Sequence, residues 1–450
     1  MTRAAARPRR QKRAPGGGLV SQEFQKSRGL RIFAVIAILA VTSWVVAALF
    51  APGPRYKIID AQAPAIDSEA FLHEIESLAN SRITRNNTIS VFPNGENFYE
   101  AEMESMRQAR HSINIEAYIF HRGEVTTRVL EVLTERARAG VRVNLVMDAI
   151  GSLSTPKSYF DDLIHAGGRI AWYHRLRWNN WFRSNNRTHR EMTIVDGATA
   201  FVGGAGFADW WRFSKKGEPR WRDTMVRVSG DAVPALQGVF VENWLEASGE
   251  VPFGEQFFPD HPSRDGKSVA LVVASTPSSG GSTRARILFQ TLIASATKSI
   301  YLTTPYFLPD RSLRQEMVRA RQRGVRVRIL VPGKHNDHAL TRSSGRSMYG
   351  DLLKAGAEVY EYEPSMIHAK ILIVDGVWAV LGSTNFDSRS FGINDEVNFA
   401  APDRDLADTL TQQFDDDLSH SRHISLEDWN DRGPYERTLE WVGWLMENQQ

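Results

Sequence analysis

HREMTIVDGATAFVGG (residues 189–204) and HAKILIVDGVWAVLGS (368–383) align without a gap. Each sets a histidine before a short apolar run, an Asp-Gly pair and a second apolar run that ends in Gly-Gly or Gly-Ser. Asp-Gly between two such runs is a strong short-range signal for a tight β-hairpin. Along a strand, residues i and i+2 share a face. His368 therefore presents its imidazole beside the Lys370 ammonium, while His189 shares its face with Glu191.

The likeness extends outward from the hairpins. HSINIEAYIF (111–120) aligns with KSIYLTTPYF (298–307), and TTRVLEVLTERARAGVRVNLVMD (126–148) with RSLRQEMVRARQRGVRVRILVPG (311–333). YFDDLIHAGGRIAWYH (159–174) aligns with MYGDLLKAGAEVYEYE (348–363), and VFVENWLEAS (239–248) with QFDDDLSHSR (413–422). Each copy reads β-α-β-α-β-β-α, with glycines at 140 and 324 where helical periodicity gives way to a β-branched strand. Alternation of this kind predicts an α/β sandwich on a mostly parallel sheet. Its duplication predicts two fused halves related by a pseudo-two-fold axis, with a shared site at their interface.

At 450 residues with 42% apolar and 24% charged side chains, the chain is globular material and not a disordered, collagenous or coiled-coil protein. It has no cysteine, which excludes disulfides, thiolate zinc sites and a thiol nucleophile. Of its 55 bases and 52 acids, nine bases and one acid precede residue 32, so the remainder is mildly acidic. That balance is the reverse of a general phosphate-backbone binder. Ile32 to Phe50 is apolar apart from Thr42, Ser43 and the amphipathic Trp44. Its length suits a bilayer core, and the basic flank sets its direction. Residues 1–31 are expected to be a cytosolic tail, 32–50 a transmembrane helix and 51–85 a stalk with an amphipathic helix opened by Ser68. The body is then extracytoplasmic. A cleaved secretory signal is the rival reading of the apolar run.

H-x-K-x4-D-G, followed by G-S-x-N (Ser383, Asn385) and a later acid (Glu396), resembles the phospholipase D superfamily. TTPYFLPD (303–310), WRDTMVRVSG (221–230) and the N-terminal anchor resemble its cardiolipin synthase-like branch. The resemblance covers about residues 88–425. It implies two phospholipase D-like α/β/α halves, 86–250 and 268–425, joined by a linker at 251–267 and followed by a helical tail at 426–450. It also implies that His189 and His368 meet at the pseudo-two-fold. One attacks phosphorus to give a phosphohistidine, and the other protonates the leaving alcohol. Asp223 and Glu396 stand at the orienting positions, Lys370, Ser383 and Asn385 at the phosphate-binding ones, and Asp196 and Asp375 at the structural ones. Neither a metal nor a cofactor is implied. Family precedent makes His189 the nucleophile and His368 the acid. The residues alone equally allow the reverse, and they allow Glu396 to hold His368 in one tautomer.

The first copy departs from the pattern. Glu191 replaces the family lysine, Gly204 stands opposite Ser383 and Gly206 opposite Asn385. A carboxylate on a face that meets a phosphodiester opposes binding by roughly 4 kcal/mol at ~4 Å and an effective dielectric of ~20, so Glu191→Lys is expected to raise activity. Arg187 is positioned to compensate, whereas Arg190 should point to the other face. HRLRWNNWFRSNNRTHR (174–190) interleaves Trp178, Trp181 and Phe182 with arginines, and Trp210, Trp211 and Phe213 form a second aromatic cluster. Such stretches suit an anionic bilayer surface, stacking on single-stranded nucleic acid, or inward packing. LEWVGWLMENQQ (439–450) suits a helix packed on the body or dipping into the membrane. Three functions follow: an anchored phosphatidyltransferase or phospholipase acting on phospholipid, with phosphatidylglycerol the expected substrate; an exported nucleic-acid phosphodiesterase; and a lipid-binding pseudoenzyme. A monomer suffices for the first, since one chain supplies both histidines.

Overall fold

The computed structural model describes residues 31–44, 56–59, 63–175, 185–214, 217, 219–260, 265–277, 283–433 and 437. Residues 1–53 and 54–450 form separate compact units. In the first, residues 31–44 are helical with their apolar side chains exposed. No helix among the described residues is long and apolar enough to cross a membrane. Residues 45–50 of the expected span lie outside the described residues, as do Trp178, Trp181, Phe182 and residues 438–450.

The second unit is built on one continuous sheet. Its N-terminal strands are β1 (Thr84–Pro93), β2 (Ser112–Ala117), β3 (Arg142–Asp148), β4 (Arg169–Tyr173), β5 (Met192–Val195), β6 (Thr199–Gly203) and β7 (Thr224–Ser229). The C-terminal strands are β8 (Ser268–Ser275), β9 (Ser299–Thr303), β10 (Phe307–Leu308), β11 (Arg326–Pro332), β12 (Glu358–Tyr362), β13 (Ile371–Val374), β14 (Trp378–Gly382), β15 (Phe386–Asp387), β16 (Glu396–Ala401) and β17 (Ser421–Ile424). β10 and β15 pair only with each other. The rest run in the order 17-12-11-9-13-14-16-8-1-7-6-5-2-3-4. Read outward from β8 and β1, the two halves repeat one topology, which is the duplication expected from the sequence.

The sheet is mixed, which corrects the mostly parallel expectation. Within this sheet, only β2-β3-β4 and β9-β11-β12 pair in parallel among the described strands, through helical crossovers. β5-β6 and β13-β14 are the Asp-Gly hairpins and must be antiparallel. β7 and β16 then add antiparallel beside them. At the junction β1 meets β8 in only a short, irregular register. An apolar cluster joins the halves there. Met192, Ile194, Val202 and Val226 pack with Ile371, Ile373, Leu381 and Phe399, beneath Leu236 and Phe240 of the helix Val233–Ser248 and Leu406 and Leu410 of the helix Arg404–Ser419.

Both hairpin turns are anchored alike. Asp196 and Asp375 sit at φ 52° and 57°, in the left-handed region that short polar side chains tolerate. The Asp196 carboxylate accepts the amides of Arg110, His111 and Ser112 at 2.7–2.9 Å. The Asp375 carboxylate accepts those of Thr297, Lys298 and Ser299 at 2.7–2.8 Å. Each aspartate thus caps the strand on which its hairpin leans. Ser68 opens the helix Glu69–Leu78 as expected, accepting from the Phe71 amide at 3.1 Å.

Candidate active site

The two histidines enter the site on extended segments that pair across the junction. Thr188 bridges Asp395 in parallel fashion, and Ile367 bridges Arg222. The His189 amide donates to the Asp395 carbonyl at 2.9 Å, and the His368 amide to the Arg222 carbonyl at 2.7 Å. Each histidine therefore lies beside a residue that directly follows its bridge partner in the other half, Glu396 or Asp223. Backbone register thus fixes which carboxylate each imidazole meets. His189 Nδ1 is 3.1 Å from Glu396 Oε2, and His368 Nδ1 is 2.9 Å from Asp223 Oδ2. The pairing is crossed between halves, and it corrects the reading in which Glu396 holds His368.

The surroundings of the two rings differ. Around His368, Asp223 Oδ2 also accepts from the Trp211 indole at 3.1 Å, and Oδ1 from the Thr224 amide at 2.8 Å. Trp211 and Trp221 pack on the ring at 5.3 and 5.4 Å between centroids. The buried Lys370 ammonium lies 2.9 and 3.1 Å from the two ring nitrogens and donates to the His368 carbonyl at 2.8 Å. Burial pushes the Lys370 pKa down to about 8, against the pull of Asp223, Glu396 and Glu191. Burial, and then the Lys370 charge, also lower the His368 pKa, although Asp223 opposes both. Asp223 is held below the usual carboxylate range: burial raises it, but the His368 hydrogen bond and the charges of His368 and Lys370 outweigh that.

Around His189, Tyr118 packs edge-on at 5.3 Å. Glu396 Oε2 accepts from the Ser383 hydroxyl at 2.5 Å, and Oε1 is buried without a partner. Ser383 Oγ in turn accepts the Val397 amide. The serine read as a phosphate binder is thus engaged with the carboxylate that orients His189. Asn385 does reach the cleft, with a buried and unpartnered Oδ1.

Glu191 is only 3% exposed. Its Oε1 accepts the amides of Tyr118 at 3.2 Å and Ile119 at 3.4 Å, and its Oε2 is buried with no partner. Burial drives its pKa well up, only partly offset by the Ile119 amide, Lys370 and the Tyr118 amide. Burial therefore disfavours the charged form of this carboxyl, and its bonded oxygen is turned to the backbone amides of Tyr118 and Ile119. Arg190 points away, to the Val239 carbonyl and Glu242. Arg187 lines the cleft beside Asp148, whose Oδ1 is 3.4 Å away.

His189, His368, Glu191 and Asn385 line one cleft of about 300 Å³. Its walls add Tyr118, Tyr306, Asp337, His338 and Arg389, which the motif spacing did not single out. Tyr306 donates to Asp337 at 2.5 Å. A weak signal for Tyr118 and Tyr306 existed, since both fall at the ends of the aligned strands 111–120 and 298–307. Trp211, for which inward packing was one of the readings, is fully buried against His368, and Trp210 packs with it.

Residues 103–219 and 289–418 match the family described as cardiolipin synthase, PLD-like domain. The chain is 34% identical over 371 residues to a probable cardiolipin synthase of Bacillus subtilis, covering 82% of this chain and 73% of that protein. It is 33% identical to cardiolipin synthase A of Pseudomonas fluorescens, covering 81% and 76%. Its fold is similar to that of phosphatidylserine synthase from Haemophilus influenzae, with a TM-score of 0.63 at 14% identity over 82% of this chain and 95% of that one. On the matched halves and these relatives, the chain belongs to the cardiolipin synthase family of phospholipase D-like proteins.

Proposed function

We propose that the chain is a membrane-anchored phosphatidyltransferase of the cardiolipin synthase type, acting on the phosphodiester of phosphatidylglycerol. The observation that carries this is the pair of crossed histidine–carboxylate contacts on one cleft, His189–Glu396 and His368–Asp223. In each, the carboxylate at Nδ1 orients the ring, and at His368 the Lys370 ammonium lies 3.1 Å from Nε2. One imidazole attacks phosphorus and expels an alcohol, which the other protonates; an acceptor hydroxyl then releases the phosphatidyl group. Lys370 and Asn385 bind the phosphoryl oxygens, Ser383 supports Glu396, and Asp196 and Asp375 hold the two hairpins. Both imidazoles come from one chain, so a monomer completes the site.

Residues 32–50 serve as the transmembrane anchor in this reading. Residues 1–31 are cytosolic, and the halves 86–250 and 268–425 lie outside the cytoplasm. The apolar length of the run and the basic residues before it support this orientation. The test is a lipid-product assay on membranes from cells expressing wild type or His368→Ala. New cardiolipin that depends on His368 is expected. DNA cleavage without lipid turnover, or a wild type inert toward phosphatidylglycerol, would refute the assignment.

A further inference from the structure

Granting that phosphatidyl-transfer reading, the two histidines still have distinct jobs, and Glu191 decides which does what. We propose that His368 is the nucleophile and His189 the general acid, the reverse of the order that family precedent suggests.

The argument rests on what each ring can hold. His368 donates Nδ1–H to Asp223, which leaves a lone pair on Nε2. Lys370 Nζ stands 2.9 Å from Nδ1 and 3.1 Å from Nε2. A positive charge this near both ring nitrogens favours the neutral ring and opposes an imidazolium. Trp211, Trp221 and the Gly204 backbone pack around the ring and Lys370. His368 thus rests in the form that attacks, beside the cation that receives the phosphoryl charge.

At His189 the position equivalent to Lys370 holds Glu191, whose carboxyl is turned to the Tyr118 and Ile119 amides. The Glu396 carboxylate faces Nδ1. With a carboxylate on one nitrogen and no lysine at the position that opposes charge on His368, the ring accommodates the imidazolium that an acid requires. The lysine that would have made the halves equivalent is absent from the acid's side.

The steps balance. His368 Nε2 donates its electron pair to phosphorus, the phosphorus–oxygen bond to the leaving alcohol breaks, and that oxygen takes the proton from His189 Nε2. The acceptor hydroxyl then returns a proton to His189 as its oxygen attacks phosphorus, and the nitrogen–phosphorus bond breaks.

The test uses the full chain in detergent with a p-nitrophenyl phosphatidyl ester, whose leaving group needs no proton. After an alkaline quench, the covalent adduct is mapped by peptide mass spectrometry. The expected result is an adduct on His368 in wild type and in His189→Gln. His189→Gln should keep its p-nitrophenol burst within about tenfold of wild type, while steady turnover falls at least ~100-fold because the acid–base group is gone. An adduct on His189 in wild type overturns the proposal and leaves the transferase reading standing. Cardiolipin formation with no histidine adduct overturns both the role of His368 and the covalent route. Wild type inert toward phosphatidylglycerol topples the transferase reading and this assignment with it. The wild-type map needs no variant to fold.

Discussion

Replacing Lys370 by methionine separates binding from folding at one atom. Lys370 is 4% exposed and its pKa is depressed from 10.5 to about 8. Between those two pH values the unfolded chain binds the proton and the folded one does not, so wild-type stability rises with pH across that window. Below pH 8 the charged form costs the folded state on the order of 3 kcal/mol. Lys370→Met should therefore raise stability at pH 7 by up to that amount, with the gain fading above pH 8 and gone above 10.5. Activity should move the other way. A phosphodiester oxygen about 4 Å from the charge, at an effective dielectric of ~20, gains roughly 4 kcal/mol, and about half survives competition with water. The loss in kcat/KM is then roughly 30- to 1000-fold. Wild-type kcat/KM should also fall above about pH 8 as Lys370 loses its proton, a limb the variant lacks. Initial rates of phosphatidyl transfer in mixed micelles, with thermal melting of the same samples from pH 6 to 10, read both effects. Rates within threefold of wild type would refute the placement of the phosphate at Lys370. A variant that melts lower at pH 7 would refute the cost of burial.

Other substitutions probe the remaining supports. Asp375→Ala strands three amides and puts alanine at φ 57°; it should cost about 3 kcal/mol in denaturant unfolding, and Asp375→Asn distinctly less. Glu116 is buried with its pKa raised to about 7, chiefly by burial and against the opposing pull of Arg190, Thr188 and Asn243. The folded state there holds a proton that the unfolded state releases from about pH 4.5 upward. Glu116→Gln should thus stabilise by about 1–3 kcal/mol at pH 8 and by nothing below pH 4.5. Gly204→Ser, which restores the residue of the second half, places a Cβ 2.9 Å from Lys370 Cδ, 3.0 Å from Asp223 Oδ1 and 3.1 Å from the His368 carbonyl. It should lower transfer at least tenfold, a roughly 1.4 kcal/mol effect on the transition state, and lower the melting temperature as well, since the buried neighbours of the new Cβ must shift.

What the sequence made legible follows from where each interaction is written. The hairpins at 189–204 and 368–383 and the crossovers between them are local patterns, and they fold as their periodicity requires. β1, β7, β8 and β16 were not separated as strands, because their pairing spans long sequence distances and their burial is decided by the opposite half. That omission hid the antiparallel character of the sheet. It also hid the crossed carboxylates: Asp223 directly precedes β7, and Glu396 opens β16. A motif gives the residue types of a triad, but the Thr188–Asp395 and Arg222–Ile367 bridges decide which acid meets which base.

The departures of the first half also make sense only in three dimensions. Read singly, Glu191, Gly204 and Gly206 look like decay of a phosphate site. In the structure they fit one another. A Cβ at 204 would press on Lys370 and Asp223, and a Cβ at 206 would meet the Ile119 carbonyl at 2.5 Å and Glu191 Oε1 at 2.9 Å. Gly204 leaves room for the lysine contributed by the other half, and Gly206 leaves room for the carboxyl that binds the Tyr118 and Ile119 amides. Glu191→Lys would bury a second cation near Lys370, at a position whose carboxyl is bonded to backbone amides. The gain in rate expected from the sequence rested on a carboxylate turned to the phosphate, whereas this one is buried and its bonded oxygen is turned to two backbone amides. Under the proposed assignment the duplicated scaffold has instead specialised: one half brings the cation to the attacking ring, and the other withholds it from the ring of the general acid.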